Sequence, residues 1–231
     1  MSTISAHYLL PLSAISYNVG MNGPLDAIRN FVRLIMKKVA RAINHVSGGR
    51  ITPNSVTLTG LLVHVLIAWL IATRHNIWAA VWLVIFGLFD ALDGELARLQ
   101  NRAGNAGMLL DASTDRMKEV MLYTSAAFAL IANGQPYWAV WAVAACGGSL
   151  LVSYVKAKGE TAVAGKLPAS QVNRLFQDGL MRFEVRMAVL IIGLLVNHLA
   201  LAVAFIAITS TFTAIHRLIT IMQRLGNNAQ G

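Results

Sequence analysis

Six apolar segments limit what this chain can fold into. They run at about 52–73, 77–100, 108–132, 137–158, 181–196 and 199–222. A helix crossing a bilayer needs roughly 20 largely apolar residues. The composition agrees: 56% of the residues are hydrophobic and 13% charged, with a mean hydropathy of +0.59. Soluble domains carry roughly 25% charged residues, so too little polar surface is left here to coat a water-soluble globule. The expected fold is an all-α membrane protein with six transmembrane helices. The turn signal Asn133-Gly134-Gln135-Pro136 separates the third and fourth, and Asn197-His198 the fifth and sixth.

The segment 24–46 precedes the first span. Arg29, Arg33, Lys37, Lys38 and Arg41 alternate there with Ile28, Phe31, Val32, Leu34, Ile35, Val39 and Ile43. This pattern predicts a basic amphipathic helix lying in the membrane interface, with Pro24 in its first turn. Three parts follow: residues 1–50 as an N-terminal segment with the interfacial helix, 51–225 as a six-helix catalytic domain, and 226–231 as a disordered tail. A short apolar run at 9–12 is broken by Pro11, and no charged n-region marks a typical secretory signal.

The net charge is +9. No nucleic-acid motif accompanies it, so the basic residues are read as facing the membrane surface and an anionic substrate. With an N-terminus inside, the outer turns near residues 74–75, 133–136 and 197–198 hold a single Lys or Arg, Arg74. The positive-inside rule then puts both termini in the cytoplasm, together with the long connection from 159 to 179. Cys146 is the only cysteine, which excludes an intrachain disulfide and a thiolate metal site.

Chemistry concentrates in one window. Four of the six aspartates lie between residues 90 and 115. On a helix Asp90, Asp93, Gly94 and Ala97 share a face, as do Gly107, Asp111 and Asp115 on the next. A short polar turn joins the two helices, so their carboxylates can meet. Clustered carboxylates repel one another and resist desolvation, and a divalent cation relieves both. All-oxygen ligands suit a hard ion, Mg²⁺ or Mn²⁺. Gly94, Ala97 and Gly107 leave room for a ligand, and Arg98 is a natural phosphate partner. Ion or proton transport also uses intramembrane acids, but usually near mid-membrane on broken helices. Here the acids gather toward one end.

Asp-x2-Asp-Gly-x2-Ala-Arg-x8-Gly-x3-Asp-x3-Asp, complete from Asp90 to Asp115, resembles the signature of the CDP-alcohol phosphotransferases (CDP-alcohol phosphatidyltransferases). Thr52-Pro53-Asn54 and the six-span layout with an interfacial helix are also similar to that family, so the resemblance covers most of the chain. It implies transfer of a phosphatidyl group from CDP-diacylglycerol to an alcohol, with release of CMP. It implies a metal held by Asp90, Asp93, Asp111 and Asp115, with Asp115 also the general base. Asp90, Gly94, Ala97, Arg98 and Gly107 would take the nucleotide and diphosphate. A homodimer in a bacterial inner (cytoplasmic) membrane, active site toward the cytoplasm, completes the expectation. Lys156, Lys158, Arg182 and Arg186 resemble segments of members that use a phosphorylated acceptor, such as glycerol 3-phosphate or inositol phosphate. The Arg-Pro-Glu-Arg of phosphatidylinositol-phosphate synthases differs here in spacing and lacks its proline. Serine, choline or ethanolamine would need fewer cations.

Overall fold

A computed structural model describes residues 24–163 and 181–227. Among these residues there are eight helices and no strand. They are α1 (Pro24–Ser47), α2 (Pro53–Ala72), α3 (Asn76–Gly87), α4 (Phe89–Leu99), α5 (Asn105–Ala132), α6 (Pro136–Val163), α7 (Phe183–Leu195) and α8 (Leu199–Asn227). The apolar run at 9–12, most of the expected 159–179 connection and the tail beyond 227 lie outside the described residues.

By length and composition α2, the α3–α4 unit, α6 and α8 can each cross a membrane. The chain is an integral membrane protein. Leu62, Phe128, Val140, Ile208 and Phe212 point outward, as a lipid-facing surface requires. The fifth expected span forms only the 13-residue α7. The third forms α5, which carries Asp111, Asp115, Arg116, Lys118 and Glu119. The six-span count therefore stays an expectation, with four helices meeting the criterion among the described residues.

Helix ends follow from local chemistry. The Thr52 hydroxyl accepts from the Ser55 N–H at 3.2 Å, and Pro53 opens α2 with its fixed φ. Three turns at the end of the bundle away from the aspartates share one solution. Arg74, Gly134 and Asn197 take φ of 64°, 72° and 56°. The next N–H in each turn, from His75, Gln135 and His198, donates to Leu70, Leu130 and Gly193 carbonyls at 2.8–2.9 Å. This is the Schellman closure, which satisfies carbonyls a helix end otherwise orphans. Side chains then bridge the turns: Arg74 to Asn133 at 2.5 Å and Asn76 to Asn197 at 2.8 Å.

The expected second span corresponds to α3 and α4, which together run Asn76–Leu99 as one unit able to cross a membrane. One turn residue, Leu88, separates the two helices. Leu88 N–H bonds to Ile85 O and Ala91 N–H to Leu88 O, a tightened turn. Gly87 is a weak helix former there. The Phe86 and Phe89 rings stack across this turn with centroids 4.4 Å apart.

Two cores result. Ile67, Leu83, Leu122, Leu190, Val203 and Ile206 knit α2, α3, α5, α7 and α8. Met36, Ala40, Val56, Leu92 and Leu96 join α1, α2 and α4. The α7–α8 hairpin is closest at Gly193, where an added Cβ would collide with the Cβ of Ala202. Gly193→Val is therefore expected to lower stability by about 1–3 kcal/mol through overpacking. Thermal unfolding of the detergent-solubilised variant checks this, and an unchanged midpoint would show that the hairpin has slack.

Candidate active site: a carboxylate cluster between two helices

Helix α4 supplies Asp90 and Asp93, and α5 supplies Asp111 and Asp115. Ligand oxygens of Asp90, Asp93 and Asp111 all lie within 4.8 Å of one another. Asp115 stands outside that triad, one helical turn beyond Asp111. Each carboxylate is positioned by a neighbour. Thr57 on α2 donates to Asp93 Oδ2 at 2.7 Å. Lys118 donates to Asp90 Oδ1 at 2.5 Å and to Asp115 Oδ1 at 3.2 Å. Asp111 Oδ1 is buried and has no hydrogen-bond partner. A buried, unpartnered carboxylate oxygen facing two other acids fits a cation ligand far better than a structural acid.

Among the described residues, chain neighbours and the helix's own backbone aside, nothing lies within 4 Å of where a Cβ on Gly107 would stand, and at Gly94 only the Arg98 guanidinium comes that near. Arg98 does not stand alone. Its Nη2 is 2.6 Å from Glu95 Oε1, and Arg33 Nε on α1 is 2.8 Å from the same oxygen. Glu95 is thereby buried between two guanidinium groups.

A second charged group continues the first along α5. Glu119 is fully buried, and Arg186 of α7 donates to its Oε1 from both Nε at 2.9 Å and Nη2 at 2.7 Å. Arg186 Nη1 donates to the Met181 carbonyl at 2.7 Å. Arg116 Nη1 is 2.9 Å from Glu119 Oε2, an ion-pair contact without hydrogen-bond alignment. Arg116 also reaches the Ser153 hydroxyl and lies over the Phe183 ring.

The four basic residues expected at an acceptor pocket are engaged differently by the structure. Arg186 is 1% exposed and committed to Glu119. Lys156 pairs with Glu160 at 3.7 Å, and Lys158 lies over the Tyr154 ring. Arg182, half-buried at the N-cap of α7, makes no ion pair among the described residues.

Thr57, Glu95, Arg116, Lys118 and Glu119 were not singled out from the sequence. Lys118 had a legible signal, since it lies three residues beyond Asp115 on the Asp111–Asp115 face. Thr57 shares a helix face with Gly60 and His64, a polar strip on an apolar span. Glu95 had a local signal in Arg98 three residues on, but its second partner, Arg33, is 62 residues away.

The CDP-alcohol phosphatidyltransferase model matches residues 50–222, which encloses both helices of the cluster. The chain belongs to that family. It is a transferase of phospholipid biosynthesis. It is 28% identical over 201 residues to an archaetidylinositol phosphate synthase of Pyrococcus horikoshii, covering 87% of this chain and 98% of that protein. It is 31% identical over 201 residues to a phosphatidylinositol phosphate synthase of Corynebacterium glutamicum, covering 83% and 85%. A crystal structure of the Mycobacterium tuberculosis phosphatidylinositol phosphate synthase with CDP-DAG bound superposes with a TM-score of 0.69 at 25% identity, covering 81% of this chain and 93% of that one. The same mycobacterial protein in complex with manganese and citrate shares the fold, with a TM-score of 0.69 at 24% identity. Family membership displaces the transporter alternative.

In this phosphatidyltransferase the Glu119–Arg186 pair makes its own prediction. Arg186→Met would strand a fully buried carboxylate, a loss of about 3–5 kcal/mol. The double variant Arg186→Met, Glu119→Leu should recover most of it. Unfolding midpoints of the two proteins decide the matter; equal losses would mean that the pair is not what stabilises this junction.

Proposed function

We propose that this chain transfers the phosphatidyl group of CDP-diacylglycerol to a phosphorylated polyol, of which inositol phosphate is the first choice, and releases CMP. The observation that carries the reading is the triad Asp90, Asp93 and Asp111, with its unpartnered Asp111 oxygen, inside a complete family signature. The activities named for the two relatives favour inositol phosphate over glycerol 3-phosphate. The proposed orientation puts the aspartates and both termini at the cytoplasmic face of a bacterial inner membrane, with α5 and α7 also crossing. The lone Arg74 among the three turns at the opposite end supports it.

Asp90, Asp93 and Asp111 would hold a divalent ion, Mg²⁺ or Mn²⁺. When bound, such an ion neutralises charge on the diphosphate and on the leaving CMP. The rest falls to side chains. Asp115 accepts the proton of the acceptor hydroxyl. The freed oxygen bonds to the phosphatidyl phosphorus, the bond from that phosphorus to CMP breaks, and CMP leaves with the electron pair. Arg98, held by Glu95, binds the diphosphate, while Gly94, Ala97 and Gly107 leave room for the nucleotide. Lys118 fixes the direction of the Asp115 carboxylate by its 3.2 Å hydrogen bond. A base needs that kind of positioning within reach of the hydroxyl.

CMP release by the purified protein, assayed against a panel of alcohols, tests the reading. EDTA should abolish turnover, and Mg²⁺ or Mn²⁺ should restore it. Asp115→Asn should lose turnover by at least 10²-fold, roughly the contribution of a positioned base, while retaining CDP-diacylglycerol binding. Turnover that survives full chelation counts against the metal, and near-normal Asp115→Asn turnover removes Asp115 as the base.

The acceptor has its own measurement. Arg182 is proposed as the residue that grips the acceptor phosphate, because its charge is not committed among the described residues. A charge-assisted hydrogen bond to phosphate is worth about 1.5–3 kcal/mol, so Arg182→Ala should raise the acceptor KM about tenfold or more. The KM for CDP-diacylglycerol should stay the same. Preference for free serine, choline or ethanolamine over every phosphorylated polyol would exclude this acceptor class.

A further inference from the structure

A lysine in the midst of four aspartates is the feature that the proposed chemistry uses least. Lys118 is fully buried on α5. Its ammonium touches one acid from each helix, Asp90 Oδ1 at 2.5 Å and Asp115 Oδ1 at 3.2 Å. No other acid is within ion-pair distance of it among the described residues.

Four carboxylates on two facing helices have enough oxygens to clamp two divalent ions, which in two-metal sites sit roughly 3.5–4 Å apart. The second ion would need Asp115 and a carboxylate shared with the first. Here the gap between Asp90 and Asp115 already holds a positive charge. An ammonium is a compact point charge with donors only. It satisfies the two oxygens it touches and repels a cation brought to the same place. The triad is the opposite case, since its Asp111 oxygen has no donor at all.

We propose that Lys118 is a built-in counter-cation that takes the place of a second metal ion. The chain would then bind one divalent ion, on Asp90, Asp93 and Asp111, and keep Asp115 free of metal. This rests on the reading that the triad holds a divalent ion. Lys118 is a positioning residue in this scheme: it acts through Asp90 and Asp115 and touches no substrate.

The scheme explains how Asp115 can remain a base. A carboxylate bound to a divalent ion is a poor proton acceptor, because the ion competes for its lone pairs. A carboxylate held by an ammonium keeps its second oxygen available. Among the described residues Asp115 Oδ2 accepts no hydrogen bond; the Arg116 guanidinium stands 3.8 Å away, too far for one.

The test is the stoichiometry and spectrum of Mn²⁺ bound to the full chain in detergent, measured by equilibrium dialysis and electron paramagnetic resonance. The wild type should take up a single Mn²⁺ per chain, with the spectrum of an isolated ion. Lys118→Met, similar in length but uncharged, should take up a second and show the spectrum of a coupled pair. Lys118→Arg, which keeps the charge, should stay at one, and it gives an answer even where the methionine variant fails to fold. Two ions in the wild type overturn the inference while leaving the metal reading intact, as does a folded Lys118→Met that still binds one. No Mn²⁺ on a wild type that still releases CMP overturns the metal reading, and this inference with it.

Discussion

A carboxylate placed inside an apolar bundle must find a cation or a donor, and the rest of this structure depends on how α5 meets that requirement. The effective penalty for an unmatched buried ion is several kcal/mol. Helix α5 carries three acids and two bases in nine residues, from Asp111 to Glu119. Each partner comes from a different direction. Lys118 reaches α4 through Asp90, Glu119 reaches α7 through Arg186, and Arg116 reaches α6 through Ser153. Satisfying the charges therefore fixes how the helices sit around α5. The apolar core alone would allow many rotations of such smooth, Ala- and Leu-rich helices. The ion pairs select one.

The two ends of the bundle are built on different principles. At the end with turns 73–76, 133–136 and 196–198, backbone closure does the work, and asparagines bridge one turn to the next. That end contains no acid among the described residues. At the other end the helices are held by charge, which leaves polar atoms pointing at a common space. A site there gains rigidity from α4 and α5 themselves rather than from a loop, which keeps reacting groups in register. The short α4, which carries Asp90 and Asp93, packs against α1 and α2.

The carboxylate site was largely legible in the sequence, because its spacing is local: helical periodicity alone gathers Asp90, Asp93, Asp111 and Asp115 onto two faces. The helices were legible for the same reason, each set by a run of apolar residues and a turn signal. What escaped was set by distance in sequence or by balance. Gly87-Leu88 lies in a continuous apolar run with no proline, so beyond the glycine little local announces the tightened turn between α3 and α4. The third span is too charged, and the fifth too short, to meet the criterion that α2, α6 and α8 meet. Arg186 carried the right charge for a phosphate, but Glu119 lies 67 residues away and claims it. A basic residue at a helix end says nothing about which acid is buried opposite.

Glu95 shows how such balance shapes a binding surface. A sequence reading finds it in the two-residue spacer between Gly94 and Ala97 and gives it no task. In three dimensions one buried carboxylate oxygen accepts from both Arg33 and Arg98. Two guanidinium groups and one carboxylate leave one positive charge, on the side of α4 that faces α1. The carboxylate triad lies on the same short helix. The proposed substrate's diphosphate would thus meet a cationic flank on α4 beside the acids that would hold its metal, and both are anchored by side chains that are themselves paired. The pairing also tethers the basic amphipathic helix α1 to the motif. Any tilt of α1 against α4 must either carry Arg33 away from Glu95 or pull Glu95 away from Arg98. The guanidinium proposed to bind phosphate is therefore aimed by a helix that contributes no residue to the signature.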